Sequence, residues 1–171
     1  MTRPPSPQLT LEHFHAFIEP AIHVIEKMVG LSVRAGVPRV GTSVPQEETV
    51  TVMIGLRGDL TGTIVFRFRT DLVRRIVKGL TGDEETIDEI DGAAQDALGE
   101  LANVIAGNAT GNLQRLGLQV TVTLPVIAMG RDFRLVFPDI PELVVIPLET
   151  AHGDIEMSVT FAAKVNGDNA P

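Results

Sequence analysis

The chain has 171 residues with no Cys, Trp or Tyr and a net charge of −8 at pH 7, giving a pI near 4.9. That balance repels a phosphate backbone and no basic stripe offsets it, so nucleic acid is excluded as a partner; the missing thiols exclude disulfides, thiolate metal sites and cysteine nucleophiles together. No run of 18 apolar residues could span a bilayer and the opening MTRPPSPQLT lacks the apolar stretch of a signal peptide, so a cytoplasmic protein without membrane insertion is expected.

A chain of this length suits one domain, burying roughly 70% of the surface its unfolded form exposes. Residues 1–8 hold three prolines and no apolar period, and read as a flexible lead. The domain is assigned to 9–165, and 166–171 to a polar tail. From Leu9 to about Val29, Phe14, Phe17, Ile18, Ala21, Ile22, Ile25 and Met28 recur at helical spacing, and Gly30 ends the run. Pro20 either kinks this helix or marks where the helix proper begins. The piece VRAGVPRV is short and extended, broken by Gly36 and Pro38. Then ETVTVMIGLRGDLTGTIVFRFR gives two alternating β-branched runs about a Gly58/Asp59/Gly62 turn, a hairpin.

TDLVRRIVKGL predicts a second helix, capped by Thr70 or Asp71, with Leu72, Ile76, Val77 and Leu80 on one face. The acidic TGDEETIDEI leads into a long helix from about Thr86 to Arg115, its carboxylates suited to the positive pole of the helix dipole. LQVTVTLPVIAM, FRLVF or ELVVIPLE, and GDIEMSVTFAA read as strands. An internal repeat emerges from this order. GLSV at 30–33 and Pro38 match GLQV at 117–120 and Pro125, both at an offset of 87 residues. The reading is α+β: two helix-plus-three-strand units with an extra helix between them.

On the long helix, Leu98, Leu101, Ala102, Ile105, Ala109, Leu113 and Leu116 form the inward side. Asp96, Glu100, Asn103, Gly107 and Gln114 fall opposite, in a strip roughly 80° wide. An outer helix face is ordinarily polar. The glycines are less ordinary, since Gly99, Gly107 and Gly111 each cost about 0.8–1 kcal/mol relative to Ala in a helix interior. Bare backbone around a Glu/Asn pair would let another surface approach closely. Two outward carboxylates lack the burial that would separate them into acid and base, and with one amide they would hold Mg²⁺ or Ca²⁺ weakly. The amide is more suggestive, because a carboxamide both donates and accepts and can aim a water, as phosphoryl transfer to water requires.

Asp96, Glu100, Asn103 and, after twenty-one intervening residues, Pro125 reproduce the signature of the CheC/CheX chemotaxis phosphatases, and DALGELANVIAGNATG resembles its CheX version. FIEPAIHVIEKMVGL, IGLRGDLTGTIVF and LPVIAMG extend the likeness over about residues 14–165. The resemblance implies a CheC-like fold in which the two units form a mainly antiparallel sheet with the long helices on one face. It implies hydrolysis of the aspartyl phosphate of CheY or a related response regulator, with Asn103 positioning the attacking water and Glu100 reaching the partner's lysine. Asp96 would orient, Gly99 and Gly107 would leave room, and Pro125 would shape its strand. No cofactor or metal is expected on this chain, the Mg²⁺ belonging to the regulator. A homodimer through the sheet is a further implication. Subtracting the repeat offset from Glu100 and Asn103 lands on His13 and Ala16, which cannot do this work, so one site per chain is expected.

Other readings are weaker. His15, Glu19 and His23 imitate a metal triad but are read as exposed helix polarity, and His152 as a loop residue. Arg67, Arg69, Arg74 and Arg75 are read as a solvated edge, and no GxxxxGK[ST] loop is present. The serious alternative is a non-catalytic adaptor, a regulator-binding or flagellar-switch module on the same fold; an adaptor needs no amide at 103.

Overall fold

The computed structural model describes residues 10–41, 48–82, 90–131, 134–136 and 143–161. The assigned lead at 1–8, the tail at 166–171 and the acidic stretch at 83–89 lie outside them. Among the described residues, three helices and eight strands follow one another as α1 (Leu11–Val29), β1 (Arg34–Ala35), β2 (Arg39–Val40), β3 (Thr49–Gly58), β4 (Gly62–Arg69), α2 (Thr70–Thr81), α3 (Gly92–Arg115), β5 (Val120–Val122), β6 (Val126–Gly130), β7 (Val144–Glu149) and β8 (Ile155–Phe161).

The fold is α+β, as expected. All strands join one antiparallel sheet in the order β1-β7-β8-β4-β3-β5, with β2 also on β7 and β6 also on β3. Both extended pieces containing the repeat's prolines split into two short strands, near Pro38 and at Pro125. Each split pair leaves its own unit and borders the hairpin of the other: β1 and β2 pair with β7, while β5 and β6 pair with β3. The repeat is therefore structural. Its helix ends match too, since Gly30 (φ 77°) and Gly117 (φ 85°) both adopt the left-handed conformation glycine tolerates at a helix C-terminus.

Alternation along β3 explains the layering. Val50, Val52, Ile54 and Leu56 join the apolar cluster beneath the helices, while Thr49, Thr51, Met53 and Gly55 face the opposite side. Phe17 and Ile25 of α1, Leu72 and Ile76 of α2, and Leu98, Leu101 and Ile105 of α3 complete this core. Helix α1 continues unbroken through Pro20, which is buried. Proline has no N–H to donate, so the Ala16 carbonyl one turn earlier lacks its helical partner. Asn112 of α3 supplies the replacement, donating Nδ2 to Ala16 O at 3.2 Å. That bond joins the two long helices.

Several expectations need correction. The described α3 begins at Gly92, six residues later than predicted, because Asp91 takes the cap position and its side chain accepts the Ala94 N–H at 3.0 Å. For α2 neither Thr70 nor Asp71 is the cap; both lie inside the helix, and Arg69 precedes it in extended conformation. Leu116 is 42% exposed, since the helix has already ended at Arg115. Residues 134–136 form no strand, so ELVVIPLE provides β7. Arg67 is no solvated edge: on central strand β4 it is 8% exposed and paired with Glu156 at 2.8 Å. Glu156 also meets Arg39, and Arg69 meets Asp71.

Candidate functional site

Helix α3 divides as its periodicity predicts. Leu98, Leu101, Ala102, Ile105, Ala109 and Leu113 are each no more than 1% exposed, whereas Asp96, Glu100, Asn103, Gly107 and Gln114 are all exposed. Between Gly92 and Gln114 the helix carries two carboxylates and no cation. The strip is therefore a negative face with an amide on it.

Asparagine behaves differently here from its neighbours on the same helix. Asn108 donates to the Val104 carbonyl at 2.9 Å and Asn112 to that of Ala16; Asn103 makes no such bond among the described residues. Its donor and acceptor face solvent together. Glu100, one turn away, is equally open.

The glycines play unequal parts. Among the described residues a Cβ on Gly107 or Gly111 would meet nothing within 4 Å, so the backbone there is bare, as the sequence suggested. Gly99 corrects that picture, because it is buried. A Cβ there would sit 3.5 Å from Pro125 Cγ and 3.7 Å from Ile127 Cδ1. Gly99 thus seats the β5–β6 connector against the helix rather than clearing its outer face. On the helical wheel Asn103 lies about 40° from Gly99, so Pro125 borders the strip on the amide's side.

Two residues that the sequence did not single out hold this border in place. Thr123 takes the Gly55 N–H on its Oγ1 at 2.9 Å and gives its own N–H to Gly55 O at 2.9 Å, fixing the connector to β3. Gln95 directs Nε2 to Ile90 O at 3.2 Å and to Met129 Sδ at 3.5 Å, tying the first turn of α3 to β6. Neither follows an apolar period; the contacts to β3 and β6 that single them out join segments distant in sequence.

The matching face of α1 is closed. His13 Nδ1 accepts the Thr10 N–H at 3.0 Å in a helix cap, and Ala16 is only 5% exposed. An amide at the latter position would have no access to a partner. Elsewhere His15, Glu19 and His23 are exposed on α1, and among the described residues no three His, Cys, Asp or Glu side chains converge to hold a metal. A hollow of about 410 Å³ is lined by Ser32, Arg34, Glu149, Thr150 and His152, and includes no strip residue. Among the described residues no helix is long and apolar enough to cross a membrane.

A family model described as Chemotaxis phosphatase CheX matches residues 50–149, which include Asp96, Glu100, Asn103 and Pro125. CheY-P phosphatase CheX of Thermotoga maritima is 26% identical over 121 residues, covering 71% of this chain and 77% of that one. The crystal structure of the chemotaxis protein CheX from Desulfovibrio desulfuricans aligns with TM-score 0.76 and 25% identity, over 88% of this chain and 99% of that one. A chain in the CheX-CheY-BeF3-Mg²⁺ complex from Borrelia burgdorferi shares the fold with TM-score 0.73 at 21% identity, over 88% of this chain and 98% of that one.

Proposed function

Since this chain belongs to the chemotaxis phosphatase CheX family, we propose that it hydrolyses the aspartyl phosphate of a CheY-type response regulator, using Asn103 and Glu100. The observation that carries this reading is the exposed amide of Asn103 on an anionic strip, unengaged among the described residues. Inserted beside a phosphoaspartate, the carboxamide holds a water by one hydrogen bond and points its lone pair at phosphorus. The water oxygen forms the new bond to phosphorus as the bond to the aspartyl oxygen breaks. The regulator recovers its carboxylate, and both protons of the water leave with inorganic phosphate as dihydrogen phosphate.

Glu100 is assigned to the lysine beside the phosphate, a charge-assisted contact that fixes the amide's distance. Asp96, on the same strip, adds to the attraction and orients the approach. The Mg²⁺ in the Borrelia complex accompanies CheY and BeF3; here too the metal is assigned to the regulator. A homodimer through the sheet belongs to the same proposal, and sedimentation equilibrium would then return twice the 18.4 kDa chain mass.

Phosphate release from a radiolabelled regulator tests the assignment. Asn103→Ala should retain regulator binding and lose about 10²–10³-fold in kcat, the usual size of effect for a group acting on the transition state. Glu100→Lys should lose binding as well, through like-charge contact with the lysine. Equal rates for wild type and both variants would end the catalytic reading.

A further inference from the structure

Beside the strip runs an apolar border that the chemistry just described does not use. Leu124 is 85% exposed and Met129 44% exposed. Pro125 rests against Gly99 and Met129 against Gln95, so this border lies alongside the first three turns of α3. Strands β5 and β6 pair only with β3 among the described residues, leaving their outer side open. Val126 is also exposed, at 58%, but it is registered with Met53 on the sheet face turned away from the helices.

We propose that Leu124 and Met129, flanking Pro125, form the apolar half of the docking surface for the phosphorylated regulator, whose rim presents an apolar side chain next to its lysine. This rests on the phosphatase reading of the strip. Charge selects the occupant. The border adjoins Asp96 and Glu100 with no cation between them, and its complement is an apolar group beside a positive one. A surface that places a lysine next to a phosphoaspartate supplies that pairing, and it must approach α3 from this side to meet Asn103. A few residues usually carry most of an interface's affinity, and the contacts around them serve to exclude water from a charged pair.

Equilibrium binding of a beryllofluoride-activated regulator, together with steady-state dephosphorylation, tests the inference. Leu124→Gln/Met129→Gln changes no charge, both side chains are exposed, and a glutamine oxygen at 129 can still accept from Gln95 Nε2, so the melting temperature should stay near that of wild type. It should weaken regulator binding at least about tenfold and raise KM in proportion, while kcat at saturating regulator stays within about twofold. Asn103→Ala should give the opposite pattern, and Val126→Gln should bind as wild type does. Unchanged affinity in the double variant, or equal weakening by Val126→Gln, would overturn the proposed border while leaving the phosphatase reading intact. A wild-type chain that binds without hydrolysing would instead overturn that reading, the border still being judged by the binding ratio. Failure of wild type to bind any activated regulator would remove both.

Discussion

Gly107 offers a substitution whose effects on stability and on activity should have opposite signs. It lies in the interior of α3, and an added Cβ would meet no atom within 4 Å. Gly107→Ala should therefore gain the helix-propensity difference of about 0.8–1.0 kcal/mol, raising Tm by about 2–4 °C for a chain of this size. In the complex the same methyl stands about 6 Å along the helix from the Asn103 position, on the approach side. If it holds the regulator back on the order of 1 Å, the misplaced water costs about 10²-fold in rate. Gly111→Ala is the matched control: its site is equally empty but about 12 Å from position 103. It should stabilise similarly and leave the rate within about twofold. Far-UV circular dichroism follows the melts, there being no Trp or Tyr to report by fluorescence. A Gly107→Ala protein that is more stable and as fast as wild type would refute the claim that bare backbone serves docking.

Two further expectations concern the frame. Asn112→Ala leaves the buried Ala16 carbonyl unsatisfied, a loss of about 1–3 kcal/mol reduced by up to about 0.7 kcal/mol of helix propensity; in a Pro20→Ala background, where residue 20 regains an N–H, urea melts should show most of that loss gone, and additive effects would disprove the link. Gly62→Ala would push a Cβ into the Thr160 carbonyl oxygen of the neighbouring strand, so it should unfold at a urea midpoint well below wild type, whereas a near-native midpoint would show that β4 and β8 can separate at that end.

Much of this arrangement is legible in the sequence. The apolar period of α3 is long and unambiguous, so it located the exposed strip and placed Asp96, Glu100 and Asn103 on it together. The repeat was readable because Gly30 and Gly117 do the same backbone work and each is followed by a proline that breaks an edge strand. What escaped depends on contacts between distant segments. Gly99 looked like its neighbours Gly107 and Gly111, because nothing local shows that a connector from the sheet edge rests upon it. Arg67 looked solvated because a charged residue usually is; its burial follows from β4 being central and from Glu156 lying opposite in register. The Asn112 bond to Ala16 joins residues 96 apart, and no pattern within either helix announces it.

The exchange of edge strands has a consequence for how such a chain divides its labour. The strand that carries the border of the strip, β6, belongs to the second unit but is held by β3 of the first. The first unit, whose own helix face is sealed at Ala16, thereby serves as the anvil on which the other's working edge is shaped. Severing the halves would leave each with a frayed margin where its sibling used to lie. In this architecture a half without the strip residues stays indispensable, as tooling for the half that has them.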